Sequence, residues 1–341
     1  MKIHLVSAYS AQGEASVSAW LEKCGYLASH HLVPSPADAD LILFAEVYAG
    51  LDPYFFDVLR HPVYRAYRQK CVLYHISDVT QTLCRTISPS IDKNHPNAHT
   101  RRSFSYLVRV HDNPYLDEIP ESQIFLKERR YLFSFVGDPK THPVRQNLLA
   151  LNHPRALLNA VTGSSATQMG LDEREPFQKG YLQTILDSEF VLCPRGIGPA
   201  SMRLFEVMQL GRAPVIISDD WLPVSGIDWE EFALLVPEAQ VGQIPQLLEQ
   251  QTHRALEMGK RAREVWMENF SPQRALEGLF KRAFELVQIP ITRREQIRDV
   301  LPLCALRHWR TLAACLCRSL QHGNCAGLPR AKGEKVSATK S

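Results

Sequence analysis

The sequence predicts an α/β protein with two parallel-sheet domains, and three observations predict it. Short, almost unbroken apolar runs recur, as buried parallel strands require: Ile3 to Val6, Asp40 to Ala45, Cys71 to Ile76, Arg130 to Val136, Phe190 to Cys193 and Val215 to Ile217. Segments of helical periodicity lie between many of them. A chain of 341 residues, 45% apolar and 22% charged, is long enough to bury two such cores.

In chain order, residues 1 to about 125 form the first domain. Ile3 to Val6 is its first strand. Ala15 to Cys24 reads as a helix with Val17, Trp20 and Leu21 on one face, and Leu32-Val33 as a short strand. Asp40 to Ala45 is a strand covered on both faces, and Pro53 to Leu59 a helix. Cys71 to Ile76 is the next strand, with Ser77-Asp78 at its carboxyl end. Ligands of open α/β sheets bind outside the carboxyl ends of the strands, which makes His75, Asp78 and Glu46 cleft candidates. Asp78 as a helix cap and His75 as a core histidine are the structural alternatives. Thr86 to Asn113, with Arg101 and Arg102, is polar and reads as loop. Pro114 to Pro120 reads as a linker.

The second domain covers residues 126 to 290. Arg130 to Val136 is a strand, Gly137-Asp138-Pro139 a turn, and His142 to Ala150 a helix with Pro143 in its first turn. Thr162 to Ser165 and Gly170 to Glu175 read as loop, and Lys179 to Ser188 as helix. Ala233 to Val236 is a short strand. Val241 to Gln250, Thr252 to Phe270 and Phe280 to Val287 are helical. Arg254, Lys260, Arg261 and Arg263 read as a solvated helix face. Residues 291 to 341 form a basic tail. Its segment Leu301 to Leu320 reads as an amphipathic helix, packed on the protein or docked on a membrane surface. Beyond Gln321 the composition is that of a disordered segment.

The segment from Phe190 to Asp220 organises the rest. It reads as strand, glycine turn, helix, glycine stop and strand, a right-handed βαβ unit. Pro199 suits the first helical turn, and Gly211 stands where the helix should end. A glycine turn entering a helix exposes backbone N–H groups and the positive end of the helix dipole. Arg195 lies in that turn beside Gly196, and Arg203 lies early in the helix. Together they make a site for a di-anion such as a pyrophosphate. Glu206, three residues on, can accept from ribose hydroxyls. The alternative is an Arg203–Glu206 surface ion pair.

These residues carry a family resemblance. Cys193, Pro194, Arg195, Gly196, Gly198, Ser201, Arg203, Glu206, Gly211 and Pro214 to Asp220, followed by Leu222, Pro223, Asp228, Trp229 and Phe232, resemble the signature of the exostosin family, glycosyltransferase family 47. The resemblance is strong from about Tyr131 to Glu238. It implies a GT-B fold, with two Rossmann-like domains facing each other across a cleft and a nucleotide sugar held mainly by the second. It implies an inverting transfer of a sugar from a nucleotide sugar, UDP-linked, to a hydroxyl of a glycan or lipid-linked glycan. Gly137 and Arg145 match the family's first strand-turn-helix of the second domain, where an arginine faces the donor. Arg195, Gly196, Ser201, Arg203 and Glu206 complete the donor set, and Asp78, then His75, are the candidate bases. No metal or other cofactor is expected, and Asp219-Asp220 is read as a loop feature. A final helix is expected to cross back to the first domain. An inactive glycan-binding homologue, or a different nucleotide-using enzyme, are the competing classes. The chain has no phosphate-binding loop of the G-x-x-x-x-G-K-[ST] form.

The net charge of +3 gives no case for nucleic acid. No apolar run reaches the ~20 residues of a membrane span. Met1 to Val6 lacks a signal peptide's apolar core, so a cytoplasmic protein is expected, with peripheral contact at the inner membrane through the tail. The eight cysteines show no disulfide spacing, and those at 71 and 193 read as buried thiols. The tail cysteines, with His308 and His322, match no common zinc spacing.

Overall fold

Strand propensity and burial agree along two parallel sheets. A computed structural model describes residues 1–9, 15, 17–18, 31–47, 52, 54–78, 80–107, 113–125, 129–161 and 171–304. Among these, the first sheet holds β1 (Lys2–Val6), β2 (His31–Leu32), β3 (Leu41–Glu46), β4 (Cys71–His75), β5 (Thr86–Ser88) and β6 (Arg101–Ser103), in the order β2-β1-β3-β4-β5-β6. All its pairings are parallel, with Ile3 opposite Leu41 and Ile42 opposite Cys71. Every residue of β3 and β4 is buried, which is why both read as unbroken apolar runs. Helices α1 (Phe56–Arg60) and α2 (Pro62–Tyr67) follow β3. A short helix, α3 (Glu121–Ile124), precedes the second sheet.

The second sheet holds β7 (Tyr131–Gly137), β8 (Ala156–Ala160), β9 (Ser188–Pro194), β10 (Ala213–Ile217) and β11 (Leu234–Leu235), in the order β11-β10-β9-β7-β8. It too is parallel, with Phe190 opposite both Phe133 and Ala213. Its helices are α4 (Pro143–Leu149), α5 (Leu171–Leu186), α6 (Met202–Gln209), α7 (Ile244–Gln251) and α8 (Ala255–Asn269). Gly211 ends α6 with a φ of +61°, the left-handed stop that glycine adopts without strain. The carbonyl of Gly211 lies against Gly259 of α8, where a side chain would collide with it.

The expected return crossing is α9 (Pro272–Val287), which packs on β3, β4 and β5. Its Leu276, Leu279, Phe280 and Ala283 share one core with Leu43, Val72 and Tyr74 of the first sheet, with Val191 of the second and with Phe205 of α6. The rings of Phe104, Phe270 and Phe205 link the two lobes, the first pair tilted and the second edge to face, with centroids 6.0 and 5.0 Å apart. A short helix, α10 (Arg293–Val300), follows. The chain divides into two compact units, Met1–Asp299 and Val300–Ser341.

Several expectations are corrected. Thr86 to Asn113 is not all loop, since it supplies β5 and β6. Two of its buried polar side chains share one partner: Arg101 ion-pairs with Asp299 at 2.8 Å, and Asn97 Nδ2 donates to the same carboxylate. Polarity alone concealed those strands. Gly170 to Glu175 is not loop throughout, because α5 begins at Leu171 and carries Pro176 within it. Helix α6 begins at Met202 after Ser201, later than Pro199. Arg263 leaves the solvated face and donates to the Gln209 carbonyl. Cys71 and Cys193 are free and buried, as expected. Most of the Ala15 to Cys24 helix, the Thr162 to Ser165 loop and the tail beyond 304, with its membrane-docking and zinc readings, lie outside the described residues.

Candidate functional site

The carboxyl ends of both sheets open on one cavity of about 540 Å³. On the second sheet it sits between β7 and β9, where the strand order reverses and ligands of doubly wound sheets bind. Gly137, Arg145, Gly196, Ser201, Arg203 and Glu206 line it, and Asp78 lines it from the first sheet.

Strand β7 delivers Phe135 and Gly137. Helix α4, entered at Pro143, delivers Arg145, and α6 delivers Arg203 and Glu206. The Arg203 guanidinium lies over the Phe135 ring at 4.7 Å, and that of Arg145 lies 5.8 Å from the same ring. Arg203 Nη2 donates to the Val136 carbonyl, while its Nε and Nη1 have no partner. Arg145 Nε donates to the Arg195 carbonyl at 2.8 Å. Burial, then the charge of Arg203, pushes the Arg145 pKa down to about 10, so its charge is kept at neutral pH. Two cations at one cavity, with no ion pair to either among the described residues, ask for a doubly charged anion. A side chain at Gly137 would meet the Phe135 ring at 2.9 Å and Arg203 Nη2 at 3.0 Å, so the bare backbone there keeps the arginine in place.

Glu206 is buried, and the Tyr181 hydroxyl donates to its Oε2 at 2.7 Å. No Arg203–Glu206 ion pair forms. Burial and the Glu206 charge hold the Tyr181 hydroxyl well above its ordinary range, so it remains a donor. Glu206 is thus an oriented acceptor. The Ser201 side chain precedes α6 and makes no capping bond.

Asp78 projects from the turn after β4 into the open side of the cleft. Its surface is exposed there, yet the walls around it withdraw enough hydration to raise its pKa. Burial is the largest cause, opposed by the Gly198 N–H and the Arg145 charge. Gly198 comes so close that a Cβ there would stand 2.7 Å from Asp78 Oδ1 and 3.1 Å from its Cα. A side chain at Gly196 would meet only the terminal Nη2 of Arg145, at 3.1 Å.

Three expectations about the site are corrected. His75 is fully buried and does not line the cavity. It stacks on Phe55 at 4.6 Å and lies with Nδ1 3.1 Å from Ser77 Oγ. Burial lowers its pKa to about 3, so it is a neutral core histidine. Glu46 is also buried, accepting from Ser7 Oγ and the Ala8 N–H. The Arg195 guanidinium is absent from the lining, because Asp220 at 2.5 Å and Glu238 at 3.5 Å hold it. Sequence reasoning missed Tyr181, whose hydroxyl sits within an apolar helix stripe, and Phe135, hidden in a strand. The expectation that an arginine of α4 faces the donor pocket was the signal that led to Arg145. Among the described residues, no group of three or more His, Cys, Asp and Glu stands close enough to hold a metal ion. No helix there is long and apolar enough to cross a membrane.

Two parallel-sheet lobes with a charged cavity at their facing strand ends define a GT-B fold. The exostosin GT47 domain pattern matches residues 77–251, just over half of the chain, and the chain belongs to this family of glycosyltransferases. Exostosin-1 of Drosophila melanogaster is 27% identical over 183 residues, covering 49% of this chain and 24% of that protein. A probable glucuronoxylan glucuronosyltransferase of Arabidopsis thaliana is 35% identical over 129 residues, covering 36% of this chain and 28% of that protein. The chain therefore spans about a quarter of the length of each of these relatives. Among solved structures, Anabaena Alr3699/HepE in complex with UDP aligns over 82% of this chain and 99% of that one, at 13% identity and a TM-score of 0.43. The matched family region begins one residue before Asp78 and contains every predicted site residue except Glu46 and His75.

Proposed function

We propose that this protein is an inverting glycosyltransferase that moves a sugar from a UDP-sugar to a hydroxyl of a glycan or lipid-linked glycan. One observation carries the reading: Arg145 and Arg203 share a cavity with an oriented Glu206, and Asp78 faces them from the other lobe. Arg145 and Arg203 bind the diphosphate. As the bond from sugar to phosphate breaks, negative charge grows on the leaving diphosphate, and the same two guanidiniums stabilise it. In this reading they supply the positive charge without a bound metal. Glu206 accepts from the ribose hydroxyls. Gly137, Gly196 and Ser201 leave room for the phosphates and offer them N–H and O–H donors.

The acceptor enters from the first lobe. Asp78 takes the proton of its hydroxyl as the oxygen attacks the anomeric carbon on the face opposite the leaving group. The anomeric centre is thereby inverted. A raised carboxyl pKa suits this role, since a stronger base accepts the proton more readily.

The relatives are named exostosin and glucuronosyltransferase, so UDP-glucuronic acid is the first donor to test. The experiment incubates the protein with a panel of UDP-sugars and oligosaccharide acceptors and reads product by mass and anomeric configuration by NMR. A product with inverted configuration supports the reading. A retained configuration contradicts the inverting mechanism, and nucleotide binding without product across the panel favours a glycan-binding homologue.

A further inference from the structure

We propose that Arg195 is a positioning residue for the donor site rather than a ligand of the diphosphate, and that it ties that site to the opposite lobe through Asp220. The inference rests on the reading of Arg145 as a diphosphate ligand. Three observations carry it. First, Nη1 of the Arg195 guanidinium is held by two carboxylates: Asp220 Oδ2 lies 2.5 Å away and Glu238 Oε1 3.5 Å, and the side chain is only 14% exposed. Second, the main-chain carbonyl of Arg195 accepts from Arg145 Nε at 2.8 Å. Where Arg195 sits therefore sets where the Arg145 fork points. Third, Asp220 belongs to a bridge between the lobes. Its carbonyl accepts from the Lys93 N–H at 2.9 Å, within an antiparallel contact that pairs Asp92 with Trp221. Trp221 Nε1 also donates to the Pro89 carbonyl at 3.2 Å.

An unbroken series of hydrogen bonds thus runs from the rim of the first lobe to a cation of the donor cavity. Lys93 holds Asp220, Asp220 holds the Arg195 side chain, and the Arg195 carbonyl holds Arg145. The end of β9 is fixed by a charged clamp that itself depends on the lobes being in register. A charged, partly buried hydrogen bond of this kind is among the stronger ones, so its loss should reach the cavity.

The alternative role for Arg195 makes the opposite prediction. If Arg195 swings in to bind phosphate directly, Asp220 and Glu238 compete with the nucleotide. Removing the Asp220 charge would then leave binding unchanged or tighten it. If Arg195 positions Arg145, the same change loosens the clamp and weakens binding.

The test is calorimetry of UDP with the wild-type protein, Asp220→Asn, Arg195→Ala and the double variant, with donor and acceptor KM measured on each. Asp220→Asn keeps the shape of the side chain, so it decides the matter even where Arg195→Ala does not fold. The expected result is weaker UDP binding by about three- to tenfold in Asp220→Asn and by about tenfold in Arg195→Ala. The double variant should bind no more weakly than Arg195→Ala, because the two residues act as one unit. Donor KM should rise while acceptor KM holds. Unchanged or tighter UDP binding in Asp220→Asn would overturn the inference, as would additive losses in the double variant. A folded wild type that binds no nucleoside diphosphate would instead bring down the donor-site reading itself.

Discussion

The two lobes share a strand order but not a chemistry. Each sheet runs second strand, first, third, fourth, fifth, and the first sheet adds one more at its edge. Each turns its carboxyl ends to the same cavity. At that edge the second lobe presents Arg145 and Arg203, while the first presents Asp78. The topology fixes where a ligand is met, and in the proposed mechanism the sign of the charge at the strand end sets which half of the reaction each lobe serves. The lobes also differ in how their edges are made. In the second sheet, burial follows apolar sequence. In the first, β5 and β6 are polar strands, and Arg101 of β6 is held by buried Asp299.

The division of labour is broken most severely at Asp78. Asp78→Asn removes the proposed base and should lower kcat by about 10²- to 10⁴-fold, while UDP affinity stays within about twofold. An equal loss of UDP affinity would show that the two edges do not act separately. The contrast in how the edges are built is tested at Asp299. Asp299→Ala strands a buried guanidinium and should cost about 3 to 5 kcal/mol in urea unfolding. A cost below about 1 kcal/mol would mean that the edge strands are held by something else.

Gly198 marks where the lobes touch. In Gly198→Ala the new Cβ meets Asp78 backbone as well as its carboxylate, so kcat should fall about tenfold with UDP binding largely kept. In Gly196→Ala the nearest contact is the side-chain end of Arg145, at 3.1 Å, and its smaller effect should fall on UDP affinity instead. The smallest effect is on pH. If transfer needs the Asp78 carboxylate, as proposed, kcat rises as pH rises through its pKa. Because that pKa is raised, the acidic limb should lie higher than for an unshifted aspartate and vanish in Asp78→Asn.

Much of this was legible from residue patterns. The apolar runs located β3, β4, β7, β9 and β10, because strands covered on both faces leave no choice but apolar residues. The motif from Cys193 to Glu206 placed Gly196, Ser201, Arg203 and Glu206 at one cavity. What was not legible depended on partners distant in the chain. Arg195 reads as a phosphate ligand until Asp220 and Glu238 are seen on its guanidinium. His75 reads as a cleft base until burial against Phe55 is seen. Strand β5 reads as loop because Thr86 and Ser88 make it polar, and β6 because the partner of its Arg101, Asp299, lies almost 200 residues on. Tyr181 reads as packing until its hydroxyl is found on Glu206.

The most direct test of the account is a calorimetric titration of UDP into the wild-type protein and into Arg203→Ala. Arg203 lies over Phe135 and lines the cavity, so its loss should weaken UDP binding by about ten- to a hundredfold in a protein that stays folded. Equal UDP affinity in the two proteins would contradict the placement of the donor diphosphate, and with it the division of the reaction between the lobes.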